Sequence, residues 1–454
     1  RGIKEIIFSE GVTAIGDNTF RECTPLASLT FPSTLTQIGN GAFYACSSLT
    51  SLRFPEKLAA IGKEAFRKCS GLTSLSIPDP VTTIQDHAFS GCSSLTAFTM
   101  GKAVTSIGSY AFSGCRKLKE LSIPKTVITL GPGAFASCAS LTSVTIPPGL
   151  NHAISTDHNP SEGATLSQFF ECSGLTSVTI MVPSVSTAYT GWIDNDLLKT
   201  NAVNEIILTV GVTDIGDQSF QNKTSLQSIQ LSTNAKRIGS RTFHGCTGLK
   251  EITIPEGTSS IAGNAFEDCT NLVSINVEAG NPTYSSKDGI LFNKTGTNLL
   301  RCPEGKSQSY TIPKGVTSIG SHAFHRCKGL ELVTIPEGVT SIGAHAFMEC
   351  TGLTSITIPG TVVTIGNLAF HSCIKLTRMT IPKGVTTIGT SAFTGCTNLK
   401  EVTISGSATS IGTAAFSDCR NLTSVEVLGK GIPEGTDVFK KSSPTIYFMP
   451  GAHG

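Results

Sequence analysis

The sequence predicts a β-rich α/β solenoid, about 17 coils stacked as a single array over residues 1–454. Three observations predict it. Cys23, Cys46, Cys69, Cys92, Cys115 and Cys138 stand 23 residues apart, and Cys327, Cys350, Cys373, Cys396 and Cys419 repeat the spacing. A phenylalanine column keeps the same period: it runs from Phe20 to Phe169, passes through Leu197 as a substitute, and continues from Phe220 to Phe266 and from Phe324 to Phe439. An apolar run with period 2 recurs once in each regular repeat. Self-similarity at one fixed period is the mark of stacked repeats. Neither a disulfide framework nor a metal motif spaces cysteines so evenly, and a total of 15 cannot pair completely within one chain.

Each element follows from one repeat, read over residues 353–376. Ser355, Ile356, Thr357 and Ile358 alternate, which predicts a strand with isoleucines inward and hydroxyls outward. Pro359 then ends the strand, as do Pro32, Pro55, Pro78 and Pro336 in their repeats. A second extended piece from Val362 to Ile365 buries valine and isoleucine. Gly366 follows and turns the chain. Gln85 and Ala262 replace this glycine in two repeats, so close packing explains it better than an obligatory positive φ. Ala369, Phe370 and Cys373 fall at i, i+1 and i+4, which fits one tight helical turn, so short helical turns are expected on another face. The few apolar side chains of one repeat cannot offset the entropy of ordering its backbone. Stacking completes their burial.

The unit resembles the BspA-like, or Treponema pallidum-type, leucine-rich repeat over nearly the whole chain. The resemblance implies a right-handed solenoid with a parallel sheet on one face. It also implies a bacterial cell-surface or secreted protein, since some members of that family are adhesins for host matrix proteins or other cells. It is far more specific for fold than for function.

Composition excludes several classes. Lys+Arg 34 against Asp+Glu 32 leaves no electrostatic footprint for nucleic acid. No apolar run approaches a bilayer span, so no membrane insertion is expected. No G-x-S-x-G elbow or phosphate loop occurs, and no metal or cofactor is expected. His322 and His345 occupy one repeat position in adjacent coils, about 5 Å apart on strand spacing, and read as a solvated edge. The ladder cysteines read as small buried apolar groups, with Cys302, off the ladder, as the most exposed thiol. Ile3, Ile6 and Phe8 already fit the strand part of a coil, so the chain is expected to be an excerpt of a longer secreted protein, and residues 445–450 read as a closing strand.

The period breaks at residues 150–200 and 278–313. In the second break, two apolar strands flank Asn293, Lys294, Thr295 and Gly296, which predicts a β-hairpin. The first break gathers His152, His158, Tyr189 and the only tryptophan, Trp192. Insertions in solenoids emerge as loops on one face, often a binding face. These four residues, with Arg53, Thr354 and Thr357 on the outward strand face, are the expected binding residues. The expected function is a non-enzymatic adhesion module for a protein or glycan on host or neighbouring cells. The alternatives are a structural spacer, and a glycan-binding or enzymatic site at the Tyr189–Trp192 break.

Overall fold

The computed structural model describes residues 2–147, 150, 169, 171–181, 203–209, 211–405, 408–428 and 436–449. Two compact units, 1–213 and 214–454, hold the coils.

Each regular coil contributes two strands, and each strand pairs in parallel with its counterpart one coil away. In the first unit the two-residue strands Ala14–Ile15, Gln37–Ile38, Ala60–Ile61, Thr83–Ile84, Ser106–Ile107 and Thr129–Leu130 form one sheet. The longer strands Glu120–Ser122, Ser143–Ile146, Ser177–Ile180 and Glu205–Leu208 line up beside one another. The second unit repeats the scheme, with Ser318–Ile319, Ser341–Ile342, Thr364–Ile365, Thr387–Ile388 and Ser410–Ile411 in one column. Alternation decides which side chains enter the core: Ile356 and Ile358 are buried, whereas Ser355 and Thr357 are exposed.

The expected helical turns are absent: the described residues contain no α-helix. Around most phenylalanines of the column the chain instead bends through two left-handed residues, two before and two after the ring, such as Leu368 at φ 54° and Ser372 at φ 58° about Phe370. This geometry turns alternate N–H groups toward the next coil. The N–H groups of His345, Phe347 and Glu349 donate to the carbonyls of Asn367, Ala369 and His371 at 2.9, 2.7 and 2.8 Å. A helix would close those bonds within one coil and leave the stack without its third ladder.

The phenylalanine rings stack face to face, with centroids 5.3 Å apart for Phe43 and Phe66 and 5.1 Å for Phe347 and Phe370. Phe135 and Phe169 stack at 5.7 Å and Ser143 pairs with Ser177, so the extra residues between those coils leave both ladders in register. The glycine after each short strand is a matter of close approach. A Cβ on Gly366 would stand 2.5 Å from the Ala344 nitrogen of the preceding coil, and Gly366 is not among the positive-φ glycines.

The second irregular region is a three-stranded antiparallel meander. Tyr284–Lys287 pairs with Ile290–Asn293, which pairs with Asn298–Arg301, and the second of these turns is the hairpin expected around 293–296. Asn293 holds that turn: its Oδ1 accepts from the Asn298 N–H at 2.9 Å, and its Nδ2 donates to Thr297 at 3.0 Å. Asn298–Arg301 then pairs in parallel with Ser318–Ile319 and restarts the column of short strands.

Candidate functional site

The outward sheet face is the surface that recurs from coil to coil, and register sorts it into two columns. In the second unit, Leu332 lies beside Ser355, and Arg378 beside Glu401, Ser424 and Thr445. The other column runs Thr334–Thr357 and then Thr380, Thr403, Glu426, Tyr447. Arg378 Nε meets Glu401 Oε2 at 3.1 Å with both side chains exposed, a pair of little energetic weight.

The hydroxyls on this side are partly spent. Thr354 Oγ1 donates to the Glu331 carbonyl of the preceding coil at 2.9 Å. Thr73, Thr96, Thr142 and Thr423 make the same bond to Thr50, Thr73, Lys119 and Lys400. These hydroxyls retain only acceptor lone pairs for a partner.

Thr357 is exposed in the strand Ser355–Thr357, in register with Thr334. Arg53 is exposed in the first unit, on a segment outside the regular strands. Trp192, Tyr189, His152 and His158 lie outside the described residues. The sequence pattern does not single out Tyr447. Residues 445–450 read as a closing strand, but only the register shows that Tyr447 extends the Thr380–Thr403–Glu426 column, where it is 51% exposed. Beside it Phe448, in register with buried Val427, is 59% exposed.

The cysteine ladder is more than apolar filling. Along it, thiols donate to the phenylalanine carbonyl of the preceding coil: Cys69 to Phe43 at 3.1 Å, Cys350 to Phe324 at 3.0 Å, Cys373 to Phe347 at 3.2 Å. Ser442, which replaces cysteine, makes the same bond to Phe416 at 2.9 Å. Burial pushes the thiols of Cys115, Cys246 and Cys419 up to about 12. Cys302 is fully buried, not the exposed thiol expected.

Cys302 belongs to the apolar core with Ile290, Phe292 and Leu299, and an ion pair next to it in sequence is buried in the coil broken by the meander. Arg301 and Glu304 meet at 2.9 Å with almost no exposure. Arg301 also donates to the His322 and Phe266 carbonyls, and Glu304 accepts the Asp268 N–H at 3.0 Å. The pair thus satisfies backbone groups that a regular coil would otherwise satisfy. Burial holds Glu304 up to about 7 against the pull of Arg301, and burial followed by Arg301 lowers His325 to about 3. Arg326 reaches across the same region to Asp268, and to Glu349 at 3.0 Å. His322 and His345 stack at 4.5 Å, close to the spacing read from the sequence. They are half-buried rather than a solvated edge. His87, which lacks a histidine partner, stacks on Tyr110 at 5.1 Å.

The family model described as "BspA type Leucine rich repeat region (6 copies)" matches residues 2–119, 60–189, 191–295 and 302–443. No curated protein matches the chain. Among solved structures, a leucine rich cell surface protein from Faecalibacterium prausnitzii is 24% identical, with 95% of this chain and 89% of that chain covered and a TM-score of 0.39. A leucine-rich repeat protein from Bacteroides ovatus is 25% identical over 93% and 86%, with a TM-score of 0.35. A leucine-rich repeat protein from Eubacterium ventriosum is 22% identical over 73% and 84%, with a TM-score of 0.47.

Proposed function

We propose that this chain, which belongs to the BspA-type leucine-rich repeat family, is a non-enzymatic binding module displayed outside the cell. Its ligand is a protein on a host or neighbouring cell, and its contact surface is the outward sheet face between Leu332 and Tyr447. One observation carries the reading: the face presents exposed Leu332, Arg378, Glu401 and Tyr447 on successive coils, with Arg378 beside Glu401 and Tyr447 beside Glu426, on a scaffold fixed by three ladders. Protein interfaces draw their energy from a few aromatic and arginine anchors, and Tyr447 and Arg378 are of those types. The surrounding threonines offer acceptors to a partner's N–H groups. The name of the Faecalibacterium prausnitzii neighbour, a cell surface protein, agrees with display outside the cell. No helix among the described residues is long and apolar enough to cross a membrane.

Beads coated with the chain and incubated with cultured epithelial cells, or with cells of a second bacterium, test this reading. Saturable attachment that soluble chain competes away, and that protease treatment of the target cells abolishes, is the expected result. Attachment that survives protease but not glycosidase would move the partner to a glycan. No attachment to any cell would leave the chain a spacer.

A further inference from the structure

A basin opens beside the hairpin turn of the meander. That turn, at residues 293–296, borders it on one side, and the turn formed by Pro313, Lys314 and Gly315 in the following coil borders it on the other. The basin has a volume of about 330 Å³ and lies within the second unit. Lys287, Lys294 and Lys314 all line it. These lysines come from three separate segments: the end of the strand Tyr284–Lys287, the hairpin turn, and the turn that follows the strand Ser307–Thr311. None of the residues of the two sheet-face columns lines the basin.

Charge sets this basin apart. Over the whole chain Lys+Arg 34 and Asp+Glu 32 nearly balance, yet no carboxylate lines the basin. Elsewhere in the second unit basic side chains find acidic partners: Arg237 meets Asp214 at 2.8 Å, Arg326 meets Glu349 at 3.0 Å and Arg378 meets Glu401 at 3.1 Å. Lys287 and Lys314 are exposed, and among the described residues neither side chain has an ion pair or a hydrogen bond. Asp288 and Glu337 line a second recess that these two lysines also border, and neither carboxylate pairs with either lysine. Lys294 is tied down: its Nζ donates to the Ala279 carbonyl at 3.5 Å and to the Asn281 carbonyl. Carbonyls take up its protons but leave its charge unbalanced. A concave surface lined by charges of one sign concentrates ions of the other.

From this arrangement we infer that the basin binds a sulfated sugar residue of an acidic glycan. Lysines on three segments present separate point charges and no planar fork. Such charges suit single negative groups spread around a sugar ring, a sulfate ester at one position and a carboxylate at another. A phosphate monoester gathers its charge at one point, and no arginine lines the basin to meet it bidentately. A volume of about 330 Å³ is at the small end of the roughly 300–1,000 Å³ range of ligand pockets, so it takes in one substituted ring of the chain. The site is separate from the sheet face and does not rest on that reading.

Calorimetric titration of the full chain with a fully sulfated heparin disaccharide tests this, beside the same disaccharide without sulfate and inorganic phosphate. The expected result is saturable one-site binding of the sulfated disaccharide with a Kd on the order of 0.1–1 mM at low salt, weakening as salt is added. Lys287→Gln combined with Lys314→Gln should weaken it by about tenfold or more. Its melting temperature should match the parent, because both side chains are exposed and unpaired. Thr295→Trp, placed on the exposed wall, fills the basin instead and gives the same answer should that pair fold poorly. Lys102→Gln combined with Lys125→Gln is the control: these lysines sit one repeat apart on exposed turns of the first unit, and their loss removes the same charge. The control should leave binding within a factor of two. Four results would overturn the inference: no saturation up to about 20 mM, equal binding of the unsulfated disaccharide, tighter binding of inorganic phosphate than of the sulfated disaccharide, or equal losses in the basin pair and the control pair.

Discussion

The Cys373 thiol points at the Phe347 carbonyl of the preceding coil, with its sulfur 3.2 Å from the oxygen. Because Ser442 makes the equivalent contact with Phe416, an oxygen donor can stand in for the sulfur, and Lys223 at the same repeat position shows that the column also admits a larger residue. Cys373→Ser is expected to cost about 1 kcal/mol or less, since one donor replaces another. Cys373→Val is expected to cost about 1–3 kcal/mol, because it adds volume to a filled core and removes the donor. Urea denaturation of the two variants checks the order; equal losses would reduce the thiol to a filler.

All fifteen cysteines are buried and free. Their thiols should therefore resist Ellman's reagent at pH 8 in the folded chain and react once it is unfolded. The pH dependence has a definite sign. Burial raises the thiols of Cys115, Cys246 and Cys419 from 9.0 to about 12, so the folded chain keeps protons that the unfolded chain releases. That stabilisation is complete below pH 9.0 and is lost as pH rises toward about 12. Melting temperature should fall across that window, and more gently in a Cys115→Ser variant.

The two glycines at 360 and 366 should respond unequally to alanine. A Cβ on Gly366 would meet the Ala344 nitrogen at 2.5 Å, whereas one on Gly360 would meet nothing within 4 Å. Gly366→Ala is expected to cost about 1–3 kcal/mol through overpacking. Gly360→Ala is expected to lie within about 0.5 kcal/mol of the parent. Denaturation midpoints compare the two directly. The column does admit Gln85 and Ala262, so the contact costs stability without forbidding a side chain.

Tyr447 is the aromatic that the sheet face presents in register with Glu426. Tyr447→Ala should weaken attachment to target cells by an amount typical of an interface anchor, about 2 kcal/mol or more. Its melting temperature should stay near that of the parent, because the side chain is 51% exposed. Attachment within a factor of two of the parent would remove Tyr447 from the contact surface.

Much of this architecture is legible because the chain repeats. The alternation of Ser355, Ile356 and Thr357 marks a strand, and the 23-residue period by itself sets His322 against His345. The turn around phenylalanine is not legible. Ala369, Phe370 and Cys373 have the spacing of a helix face, and the left-handed positions hold residues as varied as Asn18, Glu64, Tyr110 and Leu368. Glycine takes some of these places, as at Gly91, Gly114 and Gly245, but most hold other residues whose positive φ is held by bonds between coils, so the glycine signal is too diluted to announce the turn. Cys302 misleads for a related reason. Its neighbours Arg301 and Glu304 are charged residues that usually face water, and here they satisfy backbone groups inside a broken coil. Tyr447 needed the strand register, which decides the face on which a side chain stands.

The buried thiols permit a direct test of the sheet face as the contact surface. A cysteine introduced at exposed Thr357 would be the one thiol open to a maleimide-linked polyethylene glycol in the folded chain, and so would one at exposed Thr413, on the turn before Phe416. Attachment of chain-coated beads to target cells is then compared for the two conjugates. The polymer at Thr357→Cys is expected to abolish attachment, and the polymer at Thr413→Cys to leave it within a factor of two. Attachment that persists with the sheet face masked, or that is lost only when the turn side is masked, would contradict a contact surface on the sheet.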